Sequence, residues 1–146
     1  IPDYPARKLM DASRRMDKLF CADACAMIME TDYQMKTSYD DSQRLLELLI
    51  LRLAAEADFS LAIYNPASKG RPDYLQKACD ILLSVLPADR ICGTVENIGR
   101  EGECAKIYTL GELRNAEVNM FTTVFIGNSM TKEIGGRMVT PRGYRI

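Results

Sequence analysis

The stretch Phe59-Ser-Leu-Ala-Ile-Tyr-Asn-Pro-Ala-Ser-Lys-Gly-Arg-Pro72 decides how the rest of the chain is read. Phe59 to Ile63 is a short apolar run, the pattern of a strand buried on both faces. Asn-Pro, Lys-Gly and Arg-Pro follow it as strong turn punctuation. The chain is therefore expected to leave a sheet, make a loop carrying Lys69 and Arg71, and enter a helix at Pro72. Proline suits a first helical position because its missing N–H is not needed there, and Asp73 complements the positive helix end. A basic loop at the carboxyl end of a strand is where open α/β sheets bind ligands. The same spacing also fits a plain β-loop-α connection with solvated cations. It is not a phosphate-binding P-loop, because the Gly-x4-Gly-Lys-Ser/Thr spacing is absent.

Downstream, the helix from Pro72 is predicted to run to Leu86, with Leu75, Cys79, Leu82 and Leu86 on one stripe and Pro87 as its stop. Ile91 to Glu96 then completes a βαβ unit whose two strands should be parallel. Asn97 to Glu103 is a loop by its glycines, Cys104 to Tyr108 a further strand, and Thr109-Leu-Gly-Glu-Leu a tight turn into a short helix. Phe121 to Gly127 reads as a strand. Thr131 to Ile134 and Arg137 to Thr140 flank Gly135-Gly136, the paired glycines of a two-residue hairpin turn. Pro141 to Tyr144 closes the chain irregularly. The predicted fold is α/β, a mixed sheet with flanking helices, ending in a β-hairpin.

Upstream, Ser42 to Ala57 is the clearest helix, begun by Asp41 or Ser42 as cap and apolar at Leu45, Leu46, Leu48, Leu49, Ile50, Leu51 and Leu53. So wide an apolar surface implies burial on more than one side, under a sheet or at a subunit contact. Residues 1 to 40 carry less signal and stay unassigned, as the tail of a preceding domain or an interdomain segment. Ala6 to Phe20 reads as a helix with a basic face of Arg7, Lys8, Arg14, Arg15 and Lys18. Periodicity leaves Ala24 to Ile28 open between helix and strand, and Thr31 to Asp41 is a polar break.

At 146 residues, with 47% hydrophobic and 27% charged residues, the chain fits a globular domain that buries a core without staples. The net charge of −1 offers no general attraction to nucleic acid or membrane, so any anion site must be local. The longest apolar run is too short, and too interrupted by Glu47 and Arg52, to span a bilayer. Five cysteines, an odd count, point to reduced thiols in a cytoplasm. With no histidine present, zinc chemistry and His-based triads lose their commonest participant, and no metal is expected.

Cations gather at loop positions: Lys69, Arg71, Arg100, Lys132, Arg137, Arg142 and Arg145. From Asn128 to Ile146 there are four cations against the single acid Glu133. Guanidinium forks pair bidentately with carboxylates and phosphates, so this asymmetry suits a polycarboxylate or phosphate ligand, and it fits scattered surface charge equally well. No nucleophile and base pair is visible, and the catalytic residues stay unknown; Glu101 and Glu103 qualify as bases only by lying in a glycine loop. A reaction that asks little of side chains fits better. Methyl transfer from a sulfonium is one, since positioning two carbons in line supplies most of the rate.

Five segments carry a resemblance in the same order over about 90 residues. They are Tyr64-Asn-Pro-Ala-Ser-Lys-Gly-Arg-Pro72, Asn97-Ile-Gly-Arg-Glu-Gly-Glu103, Thr109-Leu-Gly-Glu-Leu113, Thr122-Thr-Val-Phe-Ile-Gly-Asn-Ser129 and Gly136-Arg-Met-Val-Thr-Pro-Arg-Gly-Tyr144. Together they resemble the second half of the precorrin-3B C(17)-methyltransferases, tetrapyrrole methylases of the cobalamin pathway, and Leu53 to Asp58 fits the same family. The resemblance implies an S-adenosylmethionine-dependent, homodimeric enzyme of two α/β domains that methylates precorrin-3B or cobalt-factor III and contracts its ring. It puts methyl-donor contacts on Tyr64, Asn65, Ile98, Thr122 and Thr123, largely through backbone. The carboxylates of the anionic tetrapyrrole would fall to Lys69, Arg71, Arg100 and Arg142. Residues 41–146 would form the C-terminal domain.

The departures bear on activity. The family's first domain opens with a Gly-x-Gly-Pro-Gly loop that nothing here matches, so this chain is expected to lack the N-terminal methylase domain and to be inactive alone. Thr31-Asp-Tyr is weakly similar to the family's His-Asp-Phe segment, but without its histidine and without the Leu-Thr-Pro-Trp that follows. A reading from another class is a non-catalytic dimerisation or ligand-sensing module with the same fold. An in-frame Gly-x-Gly-Pro-Gly loop upstream would separate the two.

Overall fold

The computed structural model describes residues 17–39 and 41–141. The chain divides into two compact units, Ile1–Leu49 and Ile50–Ile146. The division falls within a helix rather than in the polar stretch before Asp41.

In the first unit, helix α1 spans Lys18–Thr37, with Asp17 as N-cap accepting from the Leu19 N–H at 2.9 Å. It absorbs both Ala24–Ile28 and most of the stretch expected as a polar break. Polar side chains there feed the helix instead of ending it: Gln34 donates to Glu30, and Lys36 pairs with Asp32 at 2.6 Å, both at i,i+4 spacing. Phe20, Cys21, Ala24, Met27, Thr31 and Met35 form its half-buried stripe. The expected helix from Ala6 lies outside the described residues up to Met16.

Helix α2 (Ser42–Glu56) matches its expected span, and Asp41 caps it through a bond from the Gln43 N–H at 3.0 Å. Leu51 and Ala55 are buried while Leu46 and Ile50, one turn apart, stay about half exposed. The helix ends in a Schellman turn. Phe59 N–H bonds to Ala54 O at 2.9 Å, Asp58 N–H bonds to Ala55 O at 3.0 Å, and Asp58 itself sits at φ 56° where glycine is usual.

The second unit is built on a four-stranded sheet of β1 (Leu61–Tyr64), β2 (Ile91–Glu96), β3 (Cys104–Thr109) and β4 (Thr122–Ile126) in the order β1-β4-β2-β3. The α/β class, the flanking helices and the closing hairpin are as expected. The pairing differs: β1 and β2 run the same way, but β4 is inserted between them, so each neighbouring pair in this sheet is antiparallel. Local patterning could not foresee this, because strand neighbours are chosen by long-range packing.

One face of the sheet is the core. Ile63, Val124, Ile126, Cys92 and Thr94 share it by register and are buried. Helix α3 (Tyr74–Leu83) brings the buried stripe Leu75, Ala78, Cys79 and Leu82, and the short α4 (Leu110–Leu113) adds Leu110 and Leu113. Each fully buried leucine contributes roughly 1.5–3 kcal/mol. A capping box starts α4: Thr109 Oγ1 accepts from the Glu112 N–H at 3.3 Å and Glu112 accepts from the Thr109 N–H at 2.8 Å.

Helix α3 begins two residues later than expected. Ser68 to Arg71 closes a turn through Arg71 N–H to Ser68 O at 2.9 Å, which keeps Pro72 in the loop, and Asp73 occupies the N-cap. The helix also stops at Leu83, three residues early, leaving Leu86 half buried. Strands β5 (Lys132–Ile134) and β6 (Arg137–Val139) form the hairpin, with Gly135 and Gly136 at φ 57° and 69°, the two positive angles a type I′ turn requires.

Candidate functional site

The carboxyl ends of β1 and β2 and the starts of β3 and β4 share one end of the sheet. Tyr64, Thr123 and Val95 form one row across three strands, and Glu96 lies between Thr122 and Cys104 in the next. Asn65 follows Tyr64 and Asn97 follows Glu96, both turning at positive φ, 51° and 54°. Asparagine tolerates this left-handed conformation better than most residues, so both strands end on the same local device. The structure thus brings Tyr64, Asn65, Ile98, Thr122 and Thr123 to one end of one sheet. Thr122 and Thr123 are buried; Tyr64 and Ile98 are exposed.

A cleft of about 210 Å³ at this end is lined by Asn97, Ile98, Arg100, Met120 and Phe121. Arg100 is exposed and lies over the Phe121 ring, 5.9 Å from its centre. Arg71 lies over Tyr74 at 5.3 Å, in the loop that follows β1, and Lys69 is exposed beside it. Stacking holds a guanidinium's plane while leaving its edge for hydrogen bonds. The three cations therefore follow β1 and β2 at the same sheet end as the five contact positions. Arg142 and Arg145 lie outside the described residues. Arg137 belongs instead to a groove of about 430 Å³ between the hairpin and the second sheet face, floored by Gly93, Val95, Ala105, Ile107 and Phe125.

Two residues that sequence reading passed over tie this end together. Asn119 Oδ1 accepts from the Phe121 N–H at 2.8 Å and the Thr122 hydroxyl at 3.2 Å, while its Nδ2 donates to Glu96 at 2.6 Å. The Asn119 N–H donates to Thr122 Oγ1 at 3.1 Å. The Thr122 hydroxyl is thereby committed to Asn119. An asparagine three residues ahead of a strand was the one available signal, as a turn former.

The opposite sheet end is organised differently. The Asp58 carboxylate accepts from the Ser129 N–H at 2.7 Å and from its hydroxyl, and pairs with Arg90 at 3.4 Å. The Ser129 hydroxyl, foremost, holds the Asp58 carboxyl below its usual range. Burial pushes the Cys79 and Cys92 thiols up to about 12 each. None of the five cysteines is in a disulfide, and among the described residues no group of three His, Cys, Asp or Glu is arranged to hold a metal. Among them, too, no helix is long and apolar enough to cross a membrane.

In fold and sequence, the matched part of the chain is similar to methyltransferases of cobalamin biosynthesis. In particular, it is similar to the cobalt-factor III and precorrin-3B C(17)-methyltransferases. The chain is 40% identical over 93 residues to a probable cobalt-factor III C(17)-methyltransferase of Salmonella typhimurium, covering 64% of this chain and 39% of that protein. Against a protein of the same description from Methanocaldococcus jannaschii the identity is 41% over 116 residues, 73% of this chain and 47% of that one. A precorrin-3B C(17)-methyltransferase of a Sinorhizobium species is 42% identical over 99 residues, 64% of this chain and 39% of its own length. The crystal structure of the methyltransferase CobJ superimposes with a TM-score of 0.59 at 29% identity, over 66% of this chain and 40% of that one. The chain thus spans less than half the length of each of these relatives.

Residues 1–53 match a different family model, the C-terminal domain of the DNA polymerase III delta subunit. That match takes in the whole first unit and most of α2. Thr31-Asp-Tyr, weakly similar to a methylase segment by sequence, lies inside α1 and within this other match.

Proposed function

We propose that the unit from Ile50 to Ile146 serves as the second domain of a homodimeric, cytoplasmic C(17)-methyltransferase. It would use S-adenosylmethionine to methylate precorrin-3B or cobalt-factor III with ring contraction. The observation that carries this is the convergence of Tyr64, Asn65, Ile98, Thr122 and Thr123 on one sheet end, with Lys69, Arg71 and Arg100 in the adjoining loops. Backbone groups at the two asparagine turns would bind the methyl donor, and the stacked guanidiniums the carboxylates of the macrocycle. Where Arg142 stands, the resemblance assigns a fourth such contact.

The rest of the donor site would come from sequence corresponding to the remainder of the relatives' length. The chemistry asks the protein for alignment rather than for an acid or base, in keeping with a sheet end that displays no catalytic pair among the described residues. The half-exposed Leu46 and Ile50 on α2 support a subunit or interdomain contact there. Residues 1–53 also match another family model, and no methyl-donor or macrocycle contact is assigned to them.

Amide-resolved NMR titration with S-adenosylhomocysteine tests the reading. Weak binding with shifts at Asn65, Ile98 and Thr123 is expected, together with negligible turnover of either tetrapyrrole. Absence of binding at millimolar ligand would refute the donor half, and turnover by this chain alone would refute the second-domain assignment.

A further inference from the structure

The strands carrying Ile98 and Thr122–Thr123 are joined by their ladder only as far as Glu96 and Thr122. Beyond that pair, one backbone bond, Asn97 N–H to Phe121 O at 3.1 Å, continues the register. Two side chains add to it: Arg100 lies over the Phe121 ring at 5.9 Å, and Asn119 links the strand ends by hydrogen bonds. Asn119 uses its carbonyl oxygen to fix the turn into β4 and its amide nitrogen to grip Glu96, the last residue of β2 before the left-handed Asn97. The turn is closed as well by Thr122 N–H to Asn119 O at 3.1 Å.

We infer that Asn119, through Glu96, is a positioning residue for the methyl donor, setting the spacing between the Ile98 loop and the Thr122–Thr123 backbone. This rests on the functional reading above. An amide is suited to the task because it is acceptor and donor at once; the Glu96 carboxylate can only accept while ionised. Its bond to the carboxylate is charge-assisted, hence the stronger link between the strands. Asn119 does not line the cleft at this sheet end, so its effect passes through backbone geometry.

The test separates the two halves of the amide in the full chain. In N119D the carboxylate keeps both acceptor bonds of the turn but faces Glu96 with like charge. E96A removes the bridge and leaves the turn intact. Both variants should raise the dissociation constant for S-adenosylhomocysteine three- to tenfold, and speed hydrogen exchange at the Ile98 and Gly99 amides. N119D/E96Q restores one donor between the two side chains, in reversed order, and should recover affinity to within about twofold. A merely structural role would lower the melting temperature without moving affinity or responding to that swap. Unchanged affinity in both single variants, or no recovery in the double one, overturns the inference. A parent chain that binds no S-adenosylhomocysteine overturns the functional reading itself, and this inference with it.

Discussion

The two ends of the sheet are closed by different means. At the end where β1 begins, side chains do the closing. Asp58 reaches across to Ser129 and Arg90, Thr131 shares a hydrogen bond with Thr140 at 2.7 Å, and Gly127 leaves no room for a methyl group beside Thr131. At the other end the strands stop on left-handed asparagines, and Arg71 and Arg100 lie over aromatic rings. Both ends commit polar side chains to one another, Asp58 with Ser129 and Arg90 at the first and Asn119 with Glu96 and Thr122 at the second, but only the second carries exposed Lys69 and Arg100 in the loops beyond its strands.

The largest expected effect is at the closed end. D58A leaves Arg90, whose side chain is only 11% exposed, without its carboxylate and keeps the Cβ at positive φ while removing the Ser129 bonds that offset it. Losing the part-buried pair together with two hydrogen bonds to the carboxylate should cost about 3 kcal/mol. D58G loses the same bonds but relaxes the backbone, so it should cost about 1 kcal/mol less. Urea denaturation of the two variants checks the order; equal losses would remove the argument from φ. Acid sharpens the same point. The carboxyl's folded-state pKa is lowered from 3.8, so its contribution is fully present above that value and disappears as pH falls through the lower folded value. A stability profile that is flat below pH 4 in the parent, or equally steep in D58N, would contradict it.

Next in size is G127A. A Cβ there would lie 2.5–2.6 Å from three atoms of the Thr131 side chain, and the crowding should cost roughly 1–3 kcal/mol. The companion variant T131A/G127A should recover only part of it, because the Cβ of residue 131 itself lies 2.5 Å from the new methyl and the hydroxyl's bonds to Asn128 and Thr140 are lost. Gly70, which has open space around it, serves as the control: G70A should change stability little.

At the open end, stability should barely respond while binding should. In a complete enzyme carrying this domain, R71A or R100A should weaken tetrapyrrole affinity about tenfold, about 1.4 kcal/mol, with methyl-donor affinity nearly unchanged. If both variants bound the macrocycle as tightly as the parent at low salt, these would be ordinary surface charges. The smallest perturbation uses thiols. Iodoacetamide at pH 8 should label the exposed Cys25 and Cys104 and spare Cys79 and Cys92, whose thiols titrate near 12, until the fold opens.

Much of this was legible locally. The span of α2, the limits of β2, the Thr109 turn and the Gly135-Gly136 hairpin all rest on interactions within a few residues: caps, alternation and positive φ. Thr31 to Asp41 reads as a polar break, but no glycine or proline lies there and i,i+4 pairs carry the helix on to Thr37. The candidate contact residues were legible only through their resemblance to a family, because backbone contacts leave little trace in side-chain identity.

Tertiary structure alone decided which strand lies beside which. The order β1-β4-β2-β3 joins residues far apart in the chain, and their pairing is chosen by the shared burial of one sheet face. It is that pairing which sets Thr123 between Tyr64 and Val95, and Glu96 within reach of Asn119. Sequence determines which segments become strands and where they turn, because those are local energies. The meeting of five distant positions at one sheet end is a property of the packed sheet, since only long-range burial brings them together.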